Sequence, residues 1–197
     1  MSLGSEQPAL PSEAELRGAL CRLGQRLHDA GLVAGTAGNI SARMRDGRVI
    51  VTPRGVRKDA LKPDDLVRLA PYESNVTALD RATTEWPLHR ACLAADPQIH
   101  AVVHTHAPAL TAIGLRRVDI ADLLPEAADA VGGIARVPWA PSGSDALGDT
   151  AADAVRRGAA VVILEGHGAV SVGGTLEEAF DRTELAELSA RAVLMSG

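Results

Sequence analysis

The sequence predicts an α/β domain built around a central sheet of mixed or antiparallel strand order. Three observations carry this. Short apolar runs at Val49–Val51, Ile99–His104 and Val161–Leu164 lack a helical period and read as buried strands. Between them lie segments with apolar residues at helical spacing, several opened by a Ser or Thr cap. Strands and helices alternate over 197 residues with no internal repeat and no long linker, which suits one domain able to bury its own core.

Taken in order, residues 1–11 are small, polar and Pro-bearing and read as a disordered N-terminal segment, leaving 12–197 as a single domain. Ser12 and Glu15 form a capping box, in which each side chain satisfies the other residue's free backbone donor. Leu16, Leu20, Leu23 and Leu27 follow at helical spacing, and Gly31 stops the helix. Gly35 to Asn39 is a turn of small residues, and Ile40–Met44 alternates as a strand. Asp46-Gly47 signals a hairpin into Val49–Val51, which Thr52-Pro53-Arg54-Gly55 breaks. A second helix starts near Thr84, tolerates Pro87 in its first turn, and runs to Ala95 before Asp96-Pro97. Val131–Trp139 is Gly-punctuated and then extended. Ser144 caps a helix through Arg157, and Thr175 with Glu178 caps a final helix running towards Met195.

Composition narrows the function. The formal charge is -5, with 20 Lys+Arg against 25 Asp+Glu, and aromatics are 2% of the chain. A mildly acidic chain with no basic run and almost no stacking residues is a poor candidate for binding nucleic acid. No apolar stretch approaches the roughly 18 residues that span a bilayer, and no signal-peptide pattern opens the sequence. Cys21 and Cys92 are isolated, so no disulfide framework is expected and a cytoplasmic location fits.

The histidines point to chemistry. His104 and His106 stand two apart at the end of a strand, so their side chains leave the same face. The pair reads either as two ligands of one metal or as a hydrogen-bonded strand end. A third, His167, lies in Glu165-Gly166-His167-Gly168, directly after another buried strand, where flanking glycines let the backbone bend sharply. Three neutral imidazoles with a vacant fourth position describe a catalytic zinc site. His28, His89 and His100 read as surface or core histidines, with His89 and His100 also able to orient a ligand from behind. Glu85, in Thr83-Thr84-Glu85-Trp86, has the ordinary explanation that a first-turn carboxylate complements a helix dipole.

The Gly-Thr-Ala-Gly-Asn turn, the Thr-Thr-Glu-Trp segment, the His-x-His strand and the Gly-His-Gly loop occur together and in this order. In this combination the sequence resembles the class II aldolase/adducin family over about residues 12 to 195. The resemblance implies a three-layer α/β/α fold with a central, mainly antiparallel sheet. It also implies a homotetramer with active sites at subunit interfaces. His104, His106 and His167 match the family's ligands for one Zn2+ per subunit, or another divalent ion, and Glu85 matches its acid/base carboxylate. Thr36, Gly38, Asn39, Gly55, Thr83 and Thr84 match its phosphate-binding positions. Backbone amides in glycine-rich turns and at a helix start suit an anion on physical grounds as well. The activity implied is a zinc-dependent carbon–carbon lyase, an aldolase cleaving a small phosphorylated hydroxy-ketone through a metal-stabilised enediolate.

Two departures bear on the substrate. Arg54 stands where fuculose-type members carry a small hydroxyl residue, and reads either as an extra grip on phosphate or carboxylate or as a solvent-facing cation. Those members also bring two tyrosines to the substrate, whereas here the only tyrosine is Tyr72, in another segment. Asp122 and Glu126 are the acids that stand near one of those positions. The departures keep open a metal-dependent decarboxylase of a phosphorylated 3-oxo sugar acid, or a methylthioribulose-1-phosphate dehydratase. A 4-epimerase fits less well, because those relatives carry Asp at the position of Glu85. A non-catalytic adducin-like assembly module would be expected to have lost the metal ligands, and all three are present.

Overall fold

The computed structural model describes residues 11–118 and 131–196. All but the last residue of the expected disordered stretch at 1–11, and the Asp122 and Glu126 of the tyrosine question, lie outside them. Helix α1 (Glu13–Asp29) opens with both arms of the predicted capping box, Glu15 N–H on Ser12 Oγ at 3.4 Å and Ser12 N–H on Glu15 Oε2 at 2.8 Å. Its four spaced leucines are all buried, each contributing roughly 1.5–3 kcal/mol by leaving water. The chain then turns through Gly35 and Gly38 into strand β1 (Asn39–Arg43), pairs back through the Asp46-Gly47 hairpin as β2 (Val49–Val51), and adds β3 (Val67–Leu69). Helices α2 (Val76–Arg81) and α3 (Trp86–Ala95) precede β4 (Ala101–Thr105), and α4 (Pro108–Arg116) follows it. Strand β5 (Ile134–Val137), helix α5 (Asp145–Arg156), strands β6 (Val161–Leu164) and β7 (Gly168–Gly173) and helix α6 (Leu176–Ser196) complete the described elements.

The seven strands lie in the order β3-β2-β1-β4-β7-β6-β5. Every pairing is antiparallel except β5 with β6, and that parallel pair has the crossover helix it requires in α5. Alternate residues of each strand serve opposite faces. Ile40, Ala101 and Val103 join α1, α4 and α6 in one apolar cluster, while Val102, Val162 and Val170 join α3 and α5 in another. The result is three layers, helix, sheet and helix, with a mainly antiparallel sheet.

The structure corrects several local expectations. The helix predicted to be capped by Thr84 begins one residue later: Glu85 is its N-cap position, with φ -93° and ψ 18° and no side-chain cap. At α6, Thr175 Oγ accepts from Glu178 N–H as expected, but the Glu178 carboxylate turns to the amide of Gly174 rather than Thr175. Strands β3 and β7 and helices α2 and α4 were not anticipated.

Candidate metal centre and anion pocket

Strand pairing assembles the histidines. Asn39 in β1 lies opposite His104 in β4, and β7 pairs with β4 on its other side. The tight turn from β6 into β7 therefore delivers His167 to the end of β4, where His104 and His106 project. Gly168 permits this approach, since a Cβ there would meet the carbonyl oxygen of Thr105 at 2.2 Å. The three imidazole centroids form a near-equilateral triangle with sides of 5.0, 4.8 and 4.9 Å. One ring nitrogen from each falls within 4.8 Å of the others.

These residues fit a divalent ion. His104 Nε2 and His106 Nε2 face each other at 3.2 Å, close to the roughly 3.3 Å between two nitrogens bound tetrahedrally to zinc at ordinary bond lengths. His104 Nδ1 donates to the carbonyl of Ala169 at 2.9 Å. That bond holds the ring with Nε2 turned towards the other two imidazoles, the usual support of a metal-binding imidazole. Burial, with the neighbouring His104 and His167, holds His106 down at about 4. Burial and His104 lower His167 as well. Both shifts favour the neutral, ligating form.

Glu85 closes the triangle. Its Oε2 lies 2.8 Å from His104 Nε2 and its Oε1 3.3 Å from His167 Nε2, with the side chain 5% exposed. The residue makes no capping hydrogen bond; its carboxylate is turned to the imidazoles instead. Burial pushes its carboxyl up, but the charge and hydrogen bond of His104, with donors from Asn39 and Ser142, outweigh this and hold it well below the usual carboxylate range. Ser142 Oγ donates to Oε1 at 2.7 Å and Asn39 Nδ2 to Oε2 at 3.1 Å. Behind Asn39 the chain continues inward. His89 Nε2 donates to Asn39 Oδ1, and Ser41 Oγ donates to His89 Nδ1 at 2.7 Å. His89 is fully buried, which pushes it down to about 3 and keeps it neutral.

Beside this centre lies a cavity of about 300 Å³. It is lined by Thr36, Gly38, Asn39, Arg54, Gly55, Thr83, Thr84, Glu85, His106 and His167, so every residue singled out from the sequence reaches it except the fully buried His104. Its walls are stitched together: Thr83 N–H donates to the carbonyl of Thr52, Arg54 N–H to that of Arg81, and Glu85 N–H to Thr83 Oγ1. Gly38 sits at φ +73°, and a Cβ there would meet Val33 at 2.5 Å and the His104 carbonyl at 2.9 Å, so only glycine fits. Asn39 turns its amide towards Glu85 and His89. Arg54 is exposed at the rim. Lys58 and Ser142 also line the cavity; the sequence reading missed both, and neither stands in a motif that would have marked it. Tyr72 is 88% exposed and lines a different cavity, with Trp86 and Arg90. A larger cavity of about 520 Å³ beside α6, lined by Asp181, Glu184 and Arg191 among others, shares none of the histidines.

The chain is similar to known proteins over most of its length. The family described as Class II Aldolase and Adducin N-terminal domain matches residues 18–194. The 3-oxo-tetronate 4-phosphate decarboxylase of Haemophilus influenzae is 32% identical over 177 residues, spanning 87% of this chain and 83% of its own. The L-fuculose phosphate aldolase of Methanococcus maripaludis is 32% identical over 169 residues, spanning 85% of this chain and 88% of its own. Among solved structures, YgbL of Klebsiella pneumoniae, described between aldolase, epimerase and decarboxylase, superposes with a TM-score of 0.87 at 30% identity, over 95% of this chain and 92% of its own.

Proposed function

The chain belongs to the class II aldolase and adducin family, and within it we propose a zinc-dependent lyase that breaks a carbon–carbon bond in a small phosphorylated hydroxy-carbonyl compound. The observation that carries this reading is a single constellation: three imidazoles converging within ligand distance, a buried carboxylate on their nitrogens, and an anion-suited cavity alongside. When bound, a divalent ion at His104, His106 and His167 supplies positive charge that stabilises the negative charge left as the bond breaks. The chain's own groups do the rest. Glu85, kept as an anion, is the base and acid that holds the proton at the carbon next to the carbonyl. Asn39 and Ser142 fix the direction in which that carboxylate points. Gly38, Gly55, Thr36, Thr83 and Thr84 receive the phosphate on amides and hydroxyls, and so place the reacting carbon beside Glu85 and the three imidazoles.

A second reading keeps the same residues and changes the bond: decarboxylation of a phosphorylated 3-oxo acid. Arg54 at the cavity rim supports it, since a guanidinium fork suits a second anionic group, as does the likeness to 3-oxo-tetronate 4-phosphate decarboxylases. Incubation with phosphorylated hydroxy-ketones and phosphorylated 3-oxo acids, with products separated by mass, decides between them. An aldehyde product is expected; carbon dioxide released without an aldehyde rejects the aldolase version.

We also propose a cytoplasmic homotetramer whose active sites lie at subunit interfaces. No helix among the described residues is long and apolar enough to cross a membrane. Exposed Leu185, Leu188 and Met195 along α6 supply apolar surface for subunit contact. Light scattering at micromolar concentration is expected to return four chains, and a monomer would remove this part of the proposal.

A further inference from the structure

Lys58 opens a single 3-10 turn at residues 58–60 on the cavity wall and is only 2% exposed. The turn lies tight against α1, where Gly24 has no side chain to hold it off: a Cβ there would meet the Lys58 carbonyl at 2.5 Å. The ammonium donates to the carbonyls of Thr36 at 2.9 Å and Val56 at 2.8 Å, tying together the two turns that flank the cavity. An ammonium has three protons, and the third has no protein acceptor among the described residues. No carboxylate pairs with it among them either. Neighbouring Asp59 is engaged by Arg57 and His28, and the charged or titratable groups facing the cavity are Arg54, Glu85, His106 and His167. Lysines are almost never buried without a partner, because a desolvated cation is costly until an opposite charge arrives.

We infer that Lys58 is the fixed counter-charge of the anion pocket, and that it selects a doubly charged phosphate group over neutral or singly charged ones. This rests on the proposed reading of the cavity as the phosphate end of the site. Arg54 is the other cation at hand, but it is exposed. The same charge at the same distance acts about four times more strongly at a protein-like dielectric constant than in bulk water, so the buried ammonium dominates. Lys58 also occupies the carbonyl of Thr36, which offsets the repulsion that oxygen would exert on an anion. Burial alone pulls Lys58 down to about 8, and a bound dianion would draw the proton back.

The test is calorimetric titration of the purified protein with glycerol 3-phosphate, whose phosphate stays doubly charged above its second pKa of about 6. The Lys58→Met variant is expected to bind it at least about tenfold more weakly, at unchanged zinc content. Wild-type affinity is expected to fall as pH rises from about 7 to about 9.5, through the range where Lys58 loses its proton, and the fall to be absent in Lys58→Met. Lys58→Met binding within about twofold of wild type, or wild-type affinity flat across that range, would overturn the assignment. The wild-type pH series decides even if the variant does not fold. A wild type that binds no glycerol 3-phosphate would remove both Lys58's role and the phosphate end of the proposed function, leaving the zinc reading to stand on its own measurement.

Discussion

At the scale of the residue, the least expected feature is the directed chain Ser41, His89, Asn39, Glu85, in which each side chain donates to the next. Each bonded pair in it lies 46 to 50 positions apart in sequence, which is why a reading of local pattern leaves His89 as an unremarkable helix histidine. Replacing it by Phe fills the space but leaves Ser41 and the Asn39 oxygen unpaired in the core, a loss of about 1–3 kcal/mol measurable by denaturant unfolding. The pH dependence follows from its protonation. The unfolded imidazole takes up a proton below about 6.5 while folded His89 refuses one until about 3. Each pH unit lost in that window therefore costs the folded state up to about 1.4 kcal/mol. Unfolding free energies at about pH 7 and about pH 5 should thus differ more in wild type than in His89→Phe; an equal difference would mean that His89 titrates freely. Glu85 and the three histidines were legible, because each stands in a short motif. Lys58 was not, because what marks it is burial without an acidic partner among the described residues, and only the folded chain reveals that.

At the scale of the element, legibility followed the caps and turns. Helix α1, the β1–β2 hairpin and α5 carry their own signals in Ser12 with Glu15, Asp46-Gly47 and Ser144, and all three form where these stand. Helix α4 has no cap signal, only Pro108 at its first position: Ala107 offers no capping side chain, and the amides of Ala109 and Leu110 are met by the carboxylate of Glu187, which is 78 and 77 residues away. Strand β3 is three residues long, too short to display a period. Strand β7 is hidden between glycines and is buried throughout, so it never alternates. The turn into β1 is the element on which both halves of the site depend, since it supplies cavity wall on one side and Asn39 on the other. Gly38→Ala there imposes a left-handed backbone on an L residue, costing about 1–2 kcal/mol, and drives a methyl into Val33 and the His104 carbonyl. The expected result is a lowered melting temperature together with weakened zinc retention; a variant with wild-type values in both would show that the turn relaxes without disturbing β4.

At the scale of the molecule, the antiparallel order of the central strands places the C-terminal end of β4 and the N-terminal ends of β1 and β7 at one end of the sheet. Asn39, His104, His106 and the His167 turn meet there, and α3 brings Glu85 to them at its N-cap position. The sheet thus builds the centre from its backbone pairing, with Ala, Val, Ile and Leu filling both faces and Phe180 the largest of the fully buried side chains. A shortage of aromatics costs such a centre nothing, since the chemistry proposed for it uses imidazoles, a carboxylate and backbone amides. In the proposed reaction the shortage bears on the end of the substrate away from the phosphate, because Tyr72 is exposed and lines a different cavity. The central claim, that three histidines hold one catalytic zinc, is tested most directly by elemental analysis of the purified wild type, His104→Ala and His167→Ala. About one zinc per chain is expected in the wild type and almost none in either variant, because two remaining ligands hold zinc far more weakly than three. Full metal retention in both variants would contradict the account.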